Sequence, residues 1–538
     1  MRRASCGSLL AASLSLAASL SLATEARADS ELAFEGAAPD DALDHFFLPF
    51  DVPAGTREIE VQHEGLTDGD VLDWGLLDPE GFRGWGGGHK EPAIVGELAA
   101  SRSYVPGPLP AGAWRVVVGK ALVKHQPARY RVVVRLRDTP TLAPQPERRP
   151  YSPAAPIGGG ARWVAGDFHV HARESGDASP TLDAIATFAR SRGLDFVELS
   201  DHNTDAQLSW FADVSARHPE LLLVPGFEFT TYDGHANAVG ATRWVDHKIG
   251  QPGVTIDAAV DAIEAQGAIF AVNHPAFELG DACLGCAWKQ PLAPSRIRAI
   301  ELGTGSVKKA GVLFGERTFE IWESWLATGA HVAAIGGSDD HSGGGAMELT
   351  SSPIGSPTTM VFVEELSVAG VLAGVRRGRT VVKLDGPADP MIELAASVAH
   401  DDDTVRADAV TLRATITGSA GETARFVADG VALDEVPVDA SPFVLERTFA
   451  APATGESRIR VEALVRGAPR SVTSHVFLRK PTAAPASPAG DDGACACATP
   501  GRGARDATPP RALAIAALAW SAVGLVRRRR GSARARAR

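Results

Sequence analysis

The sequence predicts a multidomain chain in which two β-rich domains flank a central α/β domain. Short strand-like segments fill residues 31–140 and 396–480, whereas strand-like and helical segments alternate over residues 161–395. Gly and Pro are abundant, with 55 and 36 copies, which is typical of a chain with many turns. The length of 538 residues is also sufficient for about three domains of 100–200 residues each.

Residues 31–140 are predicted to form an antiparallel β-sandwich. Strand-like runs such as residues 114–118 are separated by Gly and Pro turns, and no helical period interrupts them. No catalytic set of residues stands out in this region. Its histidines are scattered and are interpreted as structural or solvent-facing: His45, His63, His89 and His125. A Pro-rich linker is predicted to follow at residues 141–160.

Residues 161–395 are predicted to form a mostly parallel sheet, either open or closed into a barrel. Apolar strand-like runs alternate here with helical stretches at residues 181–192 and 256–266, and each helix is followed by Gly. Ser179 is the expected N-cap of the first helix. Residues 396–480 return to short strands, which predicts a small β-domain.

The charge is unevenly distributed along the chain. The formal net charge is −12, yet residues 511–538 contain eight Arg and no acidic residue, so the body of the protein is more acidic than the total indicates. Non-specific nucleic-acid binding depends on Lys and Arg that neutralise phosphates. The sequence therefore argues against a long nucleic-acid partner.

Both ends have the composition of processing signals. Residues 1–28 combine a basic start, an apolar run and a small-residue cleavage site, which predicts a secretory signal peptide. Residues 481–510 are typical of a flexible linker. The protein is therefore expected to use the export machinery and to reside at the cell surface or outer membrane, with the periplasm or the medium as alternatives.

The C-terminal tail resembles the sorting tail of myxobacterial surface proteins. The linker, a pair of cysteines, a short apolar segment and an Arg cluster occur in that order up to residue 538. The resemblance implies contact with sorting machinery, removal of the tail, and anchoring through Cys495 or Cys497. The alternative is a plain single transmembrane anchor, although an apolar run of about 15 residues is short for a span.

Candidate metal ligands cluster at the ends of the predicted strands. The D-F-H-V-H run at residues 167–171 closes the first strand of the central domain, and its H-x-H spacing places both imidazoles on one face. Five of six such segments place His, Asp or Glu at the C-terminal end of an apolar run, which is the active-site edge of parallel α/β folds. The six segments are residues 167–171, 199–203, 225–228, 234–237, 272–275 and 336–342.

Histidine and carboxylate ligands without thiolate are typical of hydrolytic sites that bind two or three divalent ions of Zn, Mn or Fe. A carboxylate such as Glu228 can bridge two ions. Paired metals lower the pKa of a bound water and stabilise a transferring ester group. No nucleophile, base and orienting residue form a recognisable triad, although Ser338 and Ser342 lie within the last segment.

The motifs D-F-H-V-H, S-D-H-N-T, G-F-E-F, N-H-P and G-S-D-D-H, in this order, resemble the polymerase and histidinol phosphatase (PHP) superfamily. The most similar branch is the carbaryl-hydrolase-like (CehA/McbA-like) group of exported metallohydrolases. The resemblance implies a PHP-type distorted (β/α)7 barrel with metals at its C-terminal edge. It implies catalytic roles for Glu228, His274 and Asp339.

The same resemblance implies the ligand sets. The first ion would be held by His169, His171, Glu228 and Asp339, the second by Glu228, His274 and His235, and the third by His202 and His341. The sequence departs from the family pattern after the H-x-H, where Asp177 stands in the unusual order Ser-Gly-Asp and is the candidate ligand. Asp201 either binds metal or orients His202.

The resulting functional prediction is an exported metal-dependent hydrolase of a small-molecule ester. A phosphoester is favoured, and a carbamate or carboxylic ester is the alternative at the same site. Two other interpretations stay open: a surface adhesin or carbohydrate-binding protein with a non-catalytic barrel, and a nuclease-type phosphodiesterase for short nucleotides. Arg173 and Asn203 are candidate substrate contacts. Cys283 and Cys286 are expected to form a disulfide in an exported protein, with a metal site as the alternative.

Overall fold

The computed structural model describes residues 29–305, 310–345 and 350–481, and the side chains of residues 310–313 are not considered. The predicted signal peptide, the C-terminal linker and tail, and Cys495 and Cys497 lie outside the described residues. Within these ranges, no helix is both long enough and apolar enough to cross a membrane.

The N-terminal region folds into two antiparallel four-stranded sheets that share one core. Its strands are β1 (Ser30–Ala37), β2 (His45–Val52), β3 (Glu58–Gly65), β4 (Val71–Asp78), β5 (Gly81–Gly87), β6 (Ala93–Gly96), β7 (Gly112–Leu122) and β8 (Arg129–Arg137). One sheet has the order β1-β8-β3-β6 and the other β2-β7-β4-β5. Alternate residues of each strand, such as Trp114 and Val116 of β7, enter the common core. This arrangement is a β-sandwich, as the sequence predicts.

The central region alternates strands and helices. In chain order they are β9 (Gly159–Val170), α1 (Leu182–Ser191), β10 (Phe196–Leu199), α2 (Phe211–Arg217), β11 (Leu222–Val224), β12 (Glu228–Thr231), β13 (Gly234–Val239), α3 (Ile256–Glu264), β14 (Ile269–Val272), β15 (Ala299–Thr304), α4 (Ala310–Leu326), β16 (Ala333–Gly337), β17 (Thr358–Glu365), α5 (Val368–Arg376) and β18 (Thr380–Lys383). Single 3₁₀ turns occur at Ala206–Trp210, Gly280–Ala282 and Pro294–Arg296.

The strands of the central region form two sheets that meet at the site described below. β9, β10 and β11 are parallel, as are β14, β15 and β16. The sheets approach each other through two isolated bridges, between Val170 and Asp340 and between His202 and Glu228. The predicted (β/α)7 barrel is therefore not confirmed as a single closed parallel sheet.

Both central sheets also contain antiparallel pairs. In one of them β17 pairs antiparallel with β9 and with β18. β12 and β13 pair antiparallel as a hairpin with Tyr232 and Asp233 at its turn, and β13 pairs antiparallel with β14. Antiparallel neighbours need only a short turn, whereas parallel neighbours need a crossover of a dozen residues or more. The chain between Glu228 and Val239 is too short for such a crossover.

The helix boundaries follow from capping. Thr181 is the N-cap of α1, because its hydroxyl accepts a hydrogen bond from Ala184 N at 3.3 Å. The prediction of Ser179 as the cap is wrong, since Ser179 lies before Pro180 and two residues ahead of the observed cap. Gly193 follows the helix with φ of 75°, the left-handed conformation that favours glycine.

The C-terminal region is continuous with the central one. Its strands are β19 (Met391–Ala396), β20 (Thr404–Arg406), β21 (Ala409–Thr417), β22 (Thr423–Ala428), β23 (Val431–Ala432), β24 (Val436–Pro437), β25 (Phe443–Ala450), β26 (Ser457–Val465), β27 (Ala468–Thr473) and β28 (Val476–Arg479). β19, β21 and β25 form a separate antiparallel sheet, while β27 pairs with β18 and extends the sheet that begins at β11. The C-terminal strands therefore stabilise the central domain from the side opposite β11.

Candidate metal centre

The candidate ligands converge where the two central sheets meet. His169 lies at the end of β9 and His171 directly after it, while His202 follows β10. His274 follows β14, Asp339 and His341 follow β16, and the hairpin β12–β13 contributes Glu228 and His235. His169, His171 and Glu228 are fully buried. The predicted alternation along β9 brings both of its imidazoles to one site.

The first group contains His169, His171 and Asp339. The Nε2 atoms of the two histidines are 3.0 Å apart, and Asp339 Oδ1 lies 3.2 Å from each of them. Donor atoms from all three residues lie within 4.8 Å of one another. Asp339 adopts a left-handed φ of 55°, an uncommon conformation that aims its carboxylate into the group.

Glu228 lies between two sets of imidazoles. Its Oε2 is 3.3 Å from His169 Nε2 and 3.5 Å from His171 Nε2. Its Oε1 is 3.1 Å from His235 Nδ1 and 3.3 Å from His274 Nε2. One oxygen thus faces the first ligand set and the other faces the second, which is the geometry that a bridging carboxylate requires.

We call the cluster of His169, His171, Glu228, His274 and Asp339 the inner site. A second cluster, the outer site, contains His171, Asp177, His202 and His341. Asp177 Oδ2 lies 3.3 Å from His202 Nε2 and 3.4 Å from His341 Nε2. The Asp177 side chain is 55% exposed, so the outer site is closer to solvent than the inner one.

Several contacts fix how the ligands are oriented. His274 Nδ1 is 3.1 Å from the carbonyl oxygen of Cys286, which leaves Nε2 for Glu228 or a metal. Cys286 also lies close to His235 and His274, but its sulfur is bonded to Cys283 and is therefore not a free thiolate. Asn273 donates to Glu228 Oε1 at 3.0 Å.

Glu301 is a functional residue that the motif search missed. It lies on β15, with Oε1 3.0 Å from His169 Nδ1, and its Oε2 accepts the backbone N–H of His274 at 2.9 Å. A carboxylate that holds the far nitrogen of a ligand imidazole is a common support of metal sites. The available signal was a buried Glu inside the apolar run at residues 299–302.

Three of the predicted site residues lie outside these groups. Asp201 is buried, and its Oδ1 accepts the backbone N–H of Ala172 at 2.5 Å, so it fixes the chain after the H-x-H rather than the ring of His202. Asn203 exchanges hydrogen bonds with the backbone of Thr230. Arg173 is half-exposed and lies outside the lining of the cavity.

The electrostatics of the cluster favour a cation. Burial opposes ionisation of Glu228, but the charges of His169 and His202 hold the pKa of this carboxyl well below its usual value. Burial likewise disfavours a charged His169, but Asp339 and Glu301 raise its pKa well above the usual range. Burial and the neighbouring His341 lower the pKa of His171 to about 3.

The donor set fits a divalent metal. His235 Nε2 is buried and makes no hydrogen bond, and Glu228 Oε2 is buried among imidazole nitrogens, the nearest of which is His202 Nδ1 at 2.9 Å. None of the described residues that line the cavity is Lys or Arg, so protonated histidine or a bound cation is what the described lining offers to balance these carboxylates. Imidazole and carboxylate donors suit Zn, Mn or Fe.

The ligands open into a cavity of about 930 Å³, within the usual range for small-molecule sites. One wall comes from the N-terminal sandwich and includes Asp73, Trp85 and His89. None of the three is predicted from the sequence to be functional, and His89 is predicted to be structural or solvent-facing. Asp73 Oδ2 accepts a hydrogen bond from the hydroxyl of Tyr232 at 2.8 Å. The loop that contains Cys283 and Cys286 forms another wall.

Comparisons with known proteins find only distant structural similarity. No family model and no curated protein matches the chain. One similar solved structure is the crystal structure of a two-domain protein from Bacteroides vulgatus that contains a predicted PHP-like metal-dependent phosphoesterase. The two chains are 17% identical with a TM-score of 0.34, and the match covers 61% of this chain and 99% of the other. A second is the crystal structure of a protein from Bifidobacterium adolescentis, proposed to be a metal-dependent phosphoesterase. It is 14% identical with a TM-score of 0.24, and the match covers 37% of this chain and 94% of the other. Both TM-scores are below 0.5, so the functional conclusion depends on the site itself.

Proposed function

We propose that this protein is a metal-dependent hydrolase of ester bonds, of the PHP type and most similar to its carbaryl-hydrolase-like branch. The observation that carries the proposal is the position of Glu228, whose two carboxylate oxygens face different histidine sets. A buried carboxylate in this position, with Asp339 beside it and no described Lys or Arg in the cavity, suits a pair of divalent ions.

The geometry supports the following assignment of residues to the ions. The first ion would be held by His169, His171, Asp339 and Glu228, the second by Glu228, His274 and His235, and a third by His171, Asp177, His202 and His341. Bound ions at such sites lower the pKa of water and neutralise charge that develops on the ester. Glu301 and the Cys286 carbonyl would keep His169 and His274 in the tautomers that present Nε2.

Direct attack by water is the proposed route, although the Thr230 hydroxyl in the cavity lining lies 2.6 Å from His202 Nδ1. Two serines near the ligands are not arranged as nucleophiles. Ser338 is buried, and its hydroxyl contacts the carbonyl oxygen of His169 at 3.3 Å. The Ser175 hydroxyl is also buried and donates to Asp177 Oδ1 at 2.8 Å. Neither hydroxyl belongs to a nucleophile–base–orienter set that faces the cavity, which favours direct attack by water.

The cavity favours a small ester with an uncharged leaving group. Beyond the ligands, its described lining contains neutral groups such as Trp85, Tyr232 and Ser179, together with the acidic Asp73 and Asp281. A leaving group that carries further phosphates would meet negative charge there. A phosphoester is favoured because several cations could accommodate its anionic oxygens. A long polynucleotide is disfavoured, and short nucleotides are the remaining nuclease-type alternative.

The cell-surface location is part of the same proposal. It is supported by the signal-like residues 1–28 and by the tail at 511–538. Mass spectrometry of the native protein tests it: a mature chain that begins near residue 29 and lacks the tail is expected. A chain that retains Met1 contradicts export, and one that ends at Arg538 contradicts removal of the tail.

The activity test uses substrates that share one leaving group. p-Nitrophenyl phosphate, bis-p-nitrophenyl phosphate, p-nitrophenyl acetate and a p-nitrophenyl carbamate would be compared with Zn, Mn and Fe. Hydrolysis of a phosphoester that requires metal and is lost on chelation is the expected result. If the purified protein binds no metal and cleaves none of these esters, the adhesin interpretation takes its place.

A further inference from the structure

The loop between β9 and α1 carries Asp177, the most exposed ligand of the outer site. From the central region, Asp201 Oδ1 accepts the N–H of Ala172 and Trp210 Nε1 donates to Glu174 Oε1. Residues 171–180 contain no helix or strand. Within the loop, Ser175 N donates to Ala172 O at 3.0 Å and Arg173 N to Pro180 O at 2.8 Å. These two turns alone do not fix residues 176 and 177. Other contacts must determine where the Asp177 carboxylate lies.

The N-terminal sandwich supplies those contacts through two consecutive residues. Arg102 donates to the carbonyl oxygens of Ser175 and Gly176, both at 2.7 Å. Ser103 donates from its backbone N–H to Glu174 Oε2 at 2.7 Å and from its hydroxyl to Glu174 O at 2.6 Å. Four hydrogen bonds from another domain thus hold the three residues that immediately precede Asp177.

These contacts are buried, and the groups that form them make further hydrogen bonds to the central region. Ser103 is 0% exposed and Glu174 1% exposed. The second oxygen of Glu174 accepts Trp210 Nε1 at 3.0 Å, and the carbonyl oxygen of Ser103 accepts the hydroxyl of Thr204 at 3.1 Å. Ser103 has a left-handed φ of 70°, an uncommon conformation that turns its N–H and hydroxyl toward Glu174.

The close approach of the two domains also restricts the loop sterically. A Cβ atom at Gly176 would lie 2.3 Å from the carbonyl oxygen of Gly86 in β5, so only glycine fits there. The loop is therefore held between the sandwich on one side and the outer site on the other. Ser175 completes the connection, since its hydroxyl donates to Asp177 Oδ1.

We infer that the N-terminal sandwich is a working part of the metal centre: Arg102 and Ser103 are positioning residues that hold Asp177 toward His202 and His341 and thereby set occupancy of the outer site. The inference rests on the proposed function, because it concerns a third ion of the same centre. It distinguishes the outer site from the inner one, whose ligands are contacted directly by Glu301, Asn273 and the Cys286 carbonyl of the central region.

The test measures metal content rather than activity. Wild type, Arg102→Ala and Asp177→Asn would be dialysed against limiting Mn²⁺, and bound Mn per chain measured by elemental analysis together with the affinity of each ion by calorimetry. Arg102→Ala should lose the last ion to bind, with roughly 10- to 100-fold weaker affinity, the loss typical of residues that orient a ligand. The inner ions should keep their wild-type affinity. Asp177→Asn should show the same selective loss.

Matched variants separate positioning from general disruption of the interface. Gln251→Ala removes a different interdomain hydrogen bond, from Gln251 Nε2 to His45 O at 2.7 Å, and should keep all ions. Arg102→Lys retains a donor that can reach one carbonyl, so it should restore part of the affinity. If Arg102→Ala does not fold, the affinity of Arg102→Lys for the last ion is compared with that of wild type instead.

Three results would overturn the inference. The first is a folded Arg102→Ala protein, or failing that Arg102→Lys, that binds the last ion within twofold of wild type. The second is equal loss of inner and outer ions, which would indicate a purely structural role. The third is a wild-type protein that saturates at two ions. None of these results contradicts the hydrolase proposal. A wild-type protein that binds no metal at all would contradict the hydrolase proposal itself.

Discussion

The inner and outer sites of this centre are built in different ways. The inner ligands His169, Glu228 and His274 are buried, and their orientation is fixed by residues of the central domain such as Glu301 and Asn273. The outer ligands Asp177, His202 and His341 are partly exposed, and Asp177 depends on a loop held by another domain. The comparison indicates an inner set of donors that residues of the central region orient and, under the proposed function, an outer ion whose affinity depends on contacts from the N-terminal sandwich.

The largest expected effect distinguishes the two histidines of β9. His169 belongs only to inner groups, whereas His171 belongs to one inner group and to the outer group. His169→Ala and His171→Ala should both reduce hydrolysis to background, because each removes an inner ligand. His171→Ala should also lose the outer ion, while His169→Ala should keep it. Elemental analysis of both variants measures this difference, and full metal content in both would show that the ligand assignment is wrong.

The next largest effect is expected from Glu228, the carboxylate proposed to bridge the two inner ions. Glu228→Gln keeps the size of the side chain but removes its charge, so it should weaken the link between the inner ions. Turnover should fall by roughly 10²-fold or more, scaled from losses of about 10–100-fold for residues that only orient ligands. Steady-state kinetics with metal analysis measure the effect. Glu220→Gln, at an exposed ion pair with Arg190, is the matched control and should be neutral. Near wild-type turnover with both ions bound would refute the bridging role.

The candidate ligands of both sites are predicted from the sequence, and for the inner site there is a physical reason. Strand alternation and the common edge of parallel strands bring His169, His171, His274 and Asp339 together, and both patterns are local in sequence. The order of domains and the sandwich architecture follow from equally local strand and turn patterns. These features therefore emerge from a single chain without an alignment.

The features that sequence reasoning missed depend on contacts between distant segments. Ser103 and Glu174 are 71 positions apart, and neither has a neighbour in sequence that indicates the pairing. The predicted closed barrel is not confirmed at β12–β13, where a tight hairpin replaces a helical crossover. Glu301 lies in an apolar run that is typical of a core strand, so its role appears only once His169 is placed beside it.

A smaller effect is the pH dependence of the outer site. Burial disfavours a charged His341, but Asp177 raises its pKa in the metal-free protein to about 9, from an ordinary value of about 6.5. The bound proton therefore stabilises the metal-free fold fully below pH 6.5, and this contribution is lost as the pH rises through 9. Burial also opposes a charged His202, but Asp177 and Glu228 raise its pKa well above the usual value. Since an ion must displace the protons of both imidazoles, its affinity should rise by about tenfold per pH unit for each proton displaced.

Calorimetric titration of the last Mn²⁺ ion at pH 7, 8 and 9 measures the slope. Thermal unfolding of the metal-free protein across the same range measures the accompanying loss of stability. In Asp177→Asn the charge that raises the pKa of His341 is absent, so the stability change between pH 7 and 9 should shrink. An outer-ion affinity that stays constant over this range would contradict the expected displacement of a proton.

The smallest expected effect is that of the Cys283–Cys286 disulfide at the rim of the cavity. The bond closes a loop of only four residues, so the chain-entropy estimate limits its stabilisation to about 2 kcal/mol. The loop that the disulfide closes also supports a metal ligand, because the Cys286 carbonyl accepts a hydrogen bond from His274. Next to it, Asp281 forms an ion pair with Lys124 of the sandwich. A Cys283→Ser/Cys286→Ser variant should therefore keep its fold and its outer ion but bind the second inner ion a few-fold more weakly. Thiol labelling of the native protein should detect neither cysteine before reduction; labelling of both would show that the bond does not form.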